Sequence, residues 1–211
     1  MPSARGPRHG VAATTMEDAN LRITNNEGGR RVAMLLALAA AALAPALAGA
    51  KELTSPYGVF IEGGISDDSR SAVAGIAWTW VQPSKWGAGN ASGYLETSIG
   101  EWACHRDEGL HYRHCSTQFG ITPVIRYEPE WWEHWYMELG IGADVIAPAW
   151  HTDKRRFATE FNFGDHIGLG RKFGDEGRDE IELRAEHYSN GGYKHPNPGE
   201  NWFQLRYMHW F

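Results

Sequence analysis

A serine hydroxyl becomes a usable nucleophile when an imidazole takes its proton and a third group fixes the imidazole tautomer. The stretch EHYSNGGYKHPNPGENW, residues 186–202, carries such a set: His187 and Ser189 two residues apart, and Glu200 as the candidate carboxylate. The amides of residues 190–192 and the side chains of Asn190 and Asn197 are candidate donors to a developing oxyanion. The chemistry these types support is acyl transfer. His-x-Ser spacing alone is weak evidence, because polar loop residues ordinarily face water. Where the two side chains point must decide.

The elements that would position them alternate with a period of two, and helical patterning is absent after Tyr57. YGVFIEGGIS sets Ile61 and Ile65 against Glu62; GYLETSIGEW sets Leu95 and Ile99 against Glu96; QFGITPVIRY sets Ile121 and Ile125 against Arg126. FATEFNFGDHIGLG puts Phe157, Phe161, Phe163, Ile167 and Leu169 together, against Glu160, Asn162 and His166. EIELRAEHYS puts Ile181, Leu183 and Ala185 on one face and Glu182, Arg184 and Glu186 on the other. Counting AVAGIAWTW, WYMELGIGADV and WFQLRYMHWF, eight strands alternate with turn-rich links such as PSKWGAGNAS and EPEWWEH. An even count with neighbour-to-neighbour connections predicts an all-β, eight-stranded antiparallel up-and-down barrel.

Alternation does not say which face is inside. A soluble lipocalin-like barrel would turn Phe, Leu and Ile inward; a transmembrane barrel does the reverse. The charged face carries both signs, so a narrow interior can pair them. Trp80, Trp86, Trp131, Trp132, Trp135, Trp202 and Trp210 lie near strand ends, as interfacial girdles require. RRVAMLLALAAAALAPALAGA has a basic start, a short apolar run and small residues, the pattern of an export signal cut after Ala48 or Ala50. Residues 1–50 are therefore read as an N-terminal extension with a cleaved signal peptide, and 51–211 as the barrel domain. The terminal YMHWF resembles an outer-membrane assembly signal, implying the barrel-assembly machinery as a partner during biogenesis.

Net charge is −6, which argues against nucleic acid as a partner. The only cysteines, Cys104 and Cys115, are expected to form a disulfide after export; no zinc-type spacing supports a metal. With termini on the periplasmic side, the loop after the seventh strand lies at the outer leaflet. Strand parity then puts His187 and Ser189 on the lipid-facing side, their Cα atoms about 6.5 Å apart. Lys154, Arg155, Arg156 and Lys194 lie in outward loops, with Arg106 and Arg113 nearby, and are candidates to hold a substrate phosphate; ordinary solvated loop charge explains them equally well.

On these residues, HYSNGGYKHPNPGEN resembles the signature of the PagL family, the lipid A 3-O-deacylases of Gram-negative outer membranes. The resemblance implies hydrolysis of the acyl ester at the 3 position of lipid A in lipopolysaccharide, with release of a 3-hydroxy fatty acid and no cofactor or metal. It makes His187 the general base and Ser189 the nucleophile, and puts Asn197 and the backbone at Gly192 near the oxyanion. The family's acidic position falls on Asn201, one residue past Glu200. Glu200 is kept as the expected acid, on a loop that must continue or bulge there; Glu186 should face the interior. The rival readings are a structural or adhesive barrel without activity and another lipid-acting barrel, a phospholipase or palmitoyl transferase.

Overall fold

The computed structural model describes residues 57–105 and 112–211. The expected signal segment, Arg106 and His111 lie outside the described residues. Eight strands follow in chain order: β1 (Tyr57–Ile65), β2 (Ser69–Trp86), β3 (Gly89–His105), β4 (Tyr112–Pro129), β5 (Trp135–Ala147), β6 (Phe161–Phe173), β7 (Asp179–Ser189) and β8 (Glu200–Trp210). Each pairs antiparallel with its neighbour, and β8 pairs with β1 to close the ring. Closure leaves no sheet edge unpaired, as a span through hydrocarbon requires.

The two faces of the wall differ in composition. Outward stand Ile61, Ile125, Leu139, Ile141, Ile167, Leu183 and Phe203, all exposed. Inward, Arg126 binds Glu138 (2.6 Å) and Glu180 (2.6 and 2.7 Å). Arg184 reaches Glu182 at 3.0 Å and Glu96 at 3.2 Å, and Arg206 also bonds to Glu96. A soluble barrel with this orientation would leave its aliphatics in water and its charges buried. The arrangement is that of a transmembrane barrel, whose small interior is filled by paired polar side chains.

Above and below this charged belt lie two apolar clusters. Trp102, Trp150, Phe157, Tyr188 and Trp202 pack together at one end; Phe60, Val73, Tyr94, Val124 and Met208 at the other. Trp202 and Trp210 are thus not girdle residues: Trp202 is buried against Trp102, centroids 4.7 Å apart, and Trp210 packs on Tyr94. The exposed tryptophans Trp80, Trp86, Trp131, Trp132 and Trp135 all sit toward the end bearing the short turns. Phe157 also leaves its expected outward face, because β6 starts only at Phe161 and the preceding segment folds over the mouth.

The PSKWGAGNAS link is largely strand: β2 and β3 run on to a tight turn at Gly87 (φ +57°). Pro83 is accommodated where the register shifts between Val81 and Ser84, since proline has no N–H for a ladder. Cys104 and Cys115 are joined by a disulfide across the tops of β3 and β4, Cα atoms 5.7 Å apart.

Candidate active site

β7 carries the candidate site to its upper end by plain alternation. Glu182, Arg184, Glu186 and Tyr188 are buried inside; Ile181, Leu183, Ala185 and His187 are exposed outside, and Ser189 is half-buried on that same face. The inward residues hold the strand rigidly. Glu186 accepts from Gln204 Nε2 at 2.8 Å, and Tyr188 packs on Trp102 with centroids 5.0 Å apart.

His187 has neighbours on three sides. Its Nδ1 lies 2.7 Å from Asn201 Oδ1 across the β7–β8 ladder. An amide oxygen only accepts, so Nδ1 carries the hydrogen and Nε2 keeps its lone pair, the tautomer a base needs. Gly199 lies against the ring: a Cβ there would sit 2.6 Å from the imidazole Cε1, and φ is +66°. Both the space and the left-handed backbone call for glycine. On the third side, Asp165 of β6 stands in register with His187 and also faces outward.

The structure places Glu200 differently from its expected role. β8 is already regular at this position, so Glu200 turns inward, buried, with Arg155 Nη2 2.9 Å from Oε2 as a charge contact. Arg155 also lies 3.6 Å from Asp68, so it ties the loop of residues 148–160 to the starts of β2 and β8. Asn201, the next residue, is the one that reaches the imidazole. No bulge exists to bring Glu200 outward, and a one-residue step reverses the face.

Ser189 Oγ accepts from the Gly191 amide at 3.4 Å, and no hydrogen bond joins it to His187 in this state. Catalytic contacts of this kind commonly tighten only when substrate is bound. Asn190 is the organiser of the loop. Its Nδ2 donates to Lys194 O (2.8 Å) and Thr159 Oγ1 (3.2 Å), its Oδ1 accepts from Gly192 N (2.9 Å), and its own amide donates to Asn197 Oδ1 (3.1 Å). The side-chain donors of Asn190 and the amide of Gly192 are therefore engaged within the loop. Asn197 Nδ2 makes no hydrogen bond among the described residues, which leaves it as the oxyanion candidate of the expected set.

Two concavities flank the site. A groove of ≈ 700 Å³ contains Asp165, Ile167, Ala185, His187, Asn201 and Phe203, with small Ala185 between larger apolar neighbours. A cleft of ≈ 730 Å³ above it is lined by His151, Lys154, Arg155, Arg156, Pro196 and Pro198. Of the expected phosphate holders, Arg155 is committed to Glu200, and Lys154 lies 3.6 Å from Asp68 with an exposed side chain. Arg156 and Lys194 are exposed. Asp165 was absent from the expected site; its parity with Phe163 and Ile167 already marked it as outward-facing.

A closed barrel with an apolar exterior and a His-x-Ser pair on its lipid face defines a transmembrane barrel of enzyme-like design. Residues 72–210 match the family model described as Lipid A 3-O-deacylase (PagL). The chain belongs to that family. It is 44% identical over 96 residues to a protein named Lipid A deacylase PagL from Bordetella bronchiseptica, an alignment covering 44% of this chain and 50% of that one. To the Lipid A deacylase PagL of Pseudomonas aeruginosa it is 30% identical over 142 residues, covering 63% and 73%. A solved structure titled as that of the outer membrane enzyme PagL superposes with a TM-score of 0.60 at 26% identity, over 72% of this chain and 98% of the other.

Proposed function

We propose that this protein is an outer-membrane esterase that removes the 3-O-linked acyl chain of lipid A, releasing a 3-hydroxy fatty acid. The observation that carries the reading is the imidazole of His187, fixed by Asn201 with Nε2 available, two residues from Ser189 on the lipid-facing wall. A substrate ester in the outer leaflet reaches that wall laterally, with no passage through the charged interior. Family membership supports the substrate class.

In this mechanism Ser189 Oγ attacks the acyl carbonyl while His187 Nε2 takes the hydroxyl proton. The imidazolium then gives that proton to the departing sugar oxygen, and water delivered from the outer surface hydrolyses the acyl-serine by the reverse relay. Asn197 Nδ2, left uncommitted by the loop, donates to the oxyanion in this mechanism. The acyl chain would lie in the Ala185 groove, and the headgroup phosphates near Lys154 and Arg156 of the cleft above it, with exposed Lys194 on the neighbouring loop. Insertion by the barrel-assembly machinery fits a closed barrel of this kind.

Mass spectrometry of lipid A from cells with and without the protein tests the reading. The expected result is loss of one 3-hydroxyacyl mass from lipid A in expressing cells, and none with Ser189→Ala. Unchanged lipid A in cells that hold folded protein would refute it.

A further inference from the structure

His187 and Ser189 stand on β7, but Asn197 stands on the loop that follows, and a loop keeps a donor in place only through what braces it. Part of that bracing comes from a different connection. The segment of residues 148–160, between β5 and β6, folds over the barrel mouth and reaches the 190–199 loop at two points. The Ala158 amide donates to Pro196 O at 3.2 Å, which pins the peptide unit leading into Asn197. Thr159 Oγ1 accepts from Asn190 Nδ2, also at 3.2 Å.

The Thr159 contact has a defined polarity. A hydroxyl carries one proton, and that of Thr159 goes to Phe161 O at 2.9 Å, so Oγ1 presents a lone pair to Asn190. Asn190 is buried, and one orientation of its amide satisfies every partner: Nδ2 between Thr159 Oγ1 and Lys194 O, Oδ1 on the Gly192 amide. The backbone amide of Asn190 donates to Asn197 Oδ1 at 3.1 Å, which commits the oxygen end of that side chain and leaves Nδ2 over. The bracing segment is itself anchored beside Thr159. Phe157 is buried 4.9 Å from the Trp150 ring, whose indole N–H donates to Ser69 Oγ at 3.0 Å. We propose that Thr159 is a positioning residue for the reaction: through Asn190 it fixes where Asn197 holds its donor. The inference rests on the reading of Ser189 as nucleophile and Asn197 as the oxyanion donor.

The test uses full-length protein in detergent micelles, with bis-phosphorylated lipid A as substrate and heat-modifiable migration as the check of folding. Thr159→Val keeps the branched shape and removes the acceptor, leaving one Asn190 N–H unpaired in a buried site. It is expected to lower kcat by about 10-fold with KM within about twofold, because the donor acts on charge that develops only in the transition state. Thr159→Ser retains the hydroxyl and should recover kcat to within about threefold of wild type. Asn197→Ala alone should cost about 100-fold or more. With that donor gone, adding Thr159→Val should cost less than about twofold further, since residues that act through one group are not additive. A hydroxyl that merely stabilises the loop would lower kcat by the same factor in both backgrounds. Wild-type kcat in Thr159→Val, a Thr159→Ser as slow as Thr159→Val, or equal losses in the two backgrounds overturns the inference and leaves the esterase reading standing. Full activity in Asn197→Ala overturns it too, together with the oxyanion assignment. An active Ser189→Ala would instead remove the reading on which both rest.

Discussion

β7 and β8 hold two histidines on the same outward face, at opposite ends of the same ladder. At the loop end, His187 Nδ1 meets Asn201 Oδ1 at 2.7 Å; at the turn end, His209 Nδ1 meets Asp179 Oδ1, also at 2.7 Å. Only the second pair has a carboxylate as the acceptor. Tyr207 donates to the same Asp179 oxygen at 2.6 Å, and Phe211 packs edge-on against His209 with centroids 4.6 Å apart. Yet the turn end has no serine two residues away and no spare amide donor; its β6–β7 connection carries positive-φ glycines too, Gly174 and Gly177, so these do not separate the ends. There the imidazole ties two strands together near the exposed Trp end of the barrel. A histidine held by an acceptor is common furniture on a barrel wall. What separates the two ends is Ser189, the Asn190-organised loop, and Gly199 leaving room for the ring.

The largest effects should fall on the loop end alone. His187→Ala and Ser189→Ala are each expected to cut deacylation by at least about 10³-fold, with folded, heat-modifiable protein in both cases. His209→Ala should leave turnover within about threefold, because that ring touches no reacting atom. Comparable losses at the two ends would dissolve the contrast.

Smaller effects should separate the groups behind His187. Gly199→Ala forces the ring aside, and misplacement by about 1 Å is worth on the order of 100-fold in rate. Asn201→Ala frees the tautomer and should lower kcat by about 10-fold or more. Glu200→Gln should leave kcat within about threefold and act on the thermal midpoint, through the weakened tie to Arg155. If Glu200→Gln is the more damaging of the two in kcat, the face assignment is wrong by one residue.

The least pronounced difference concerns the basic cleft. Replacing Lys154, Arg156 and Lys194 together by Gln should reduce turnover of bis-phosphorylated lipid A by about 3- to 10-fold, and that of dephosphorylated lipid A less. Equal losses on both substrates would return these side chains to ordinary solvated loop charge.

Period-two alternation is local, a property of each strand's own backbone, so it could be read directly along the chain. From it came the strand count, the inward turn of Glu182, Arg184 and Glu186, and the outward turn of His187 and Ser189. Element ends were less legible. Pro, Gly and Asn in PSKWGAGNAS signalled a loop where a register shift lets strand continue, and Phe157 kept outward parity although its segment had left the sheet. What surrounds the imidazole was not legible at all. Residues 165, 187 and 201 become neighbours only through the register of three strands, which interior packing sets, through contacts such as Gln204 with Glu186 and Trp202 with Trp102. The same register turns Glu200 into the barrel and Asn201 onto the histidine. Sequence alone determined that a histidine and a serine share the lipid-facing wall; tertiary structure decided which acceptor meets the imidazole, because pairing between distant strands is settled by the whole packed interior and by no segment of it.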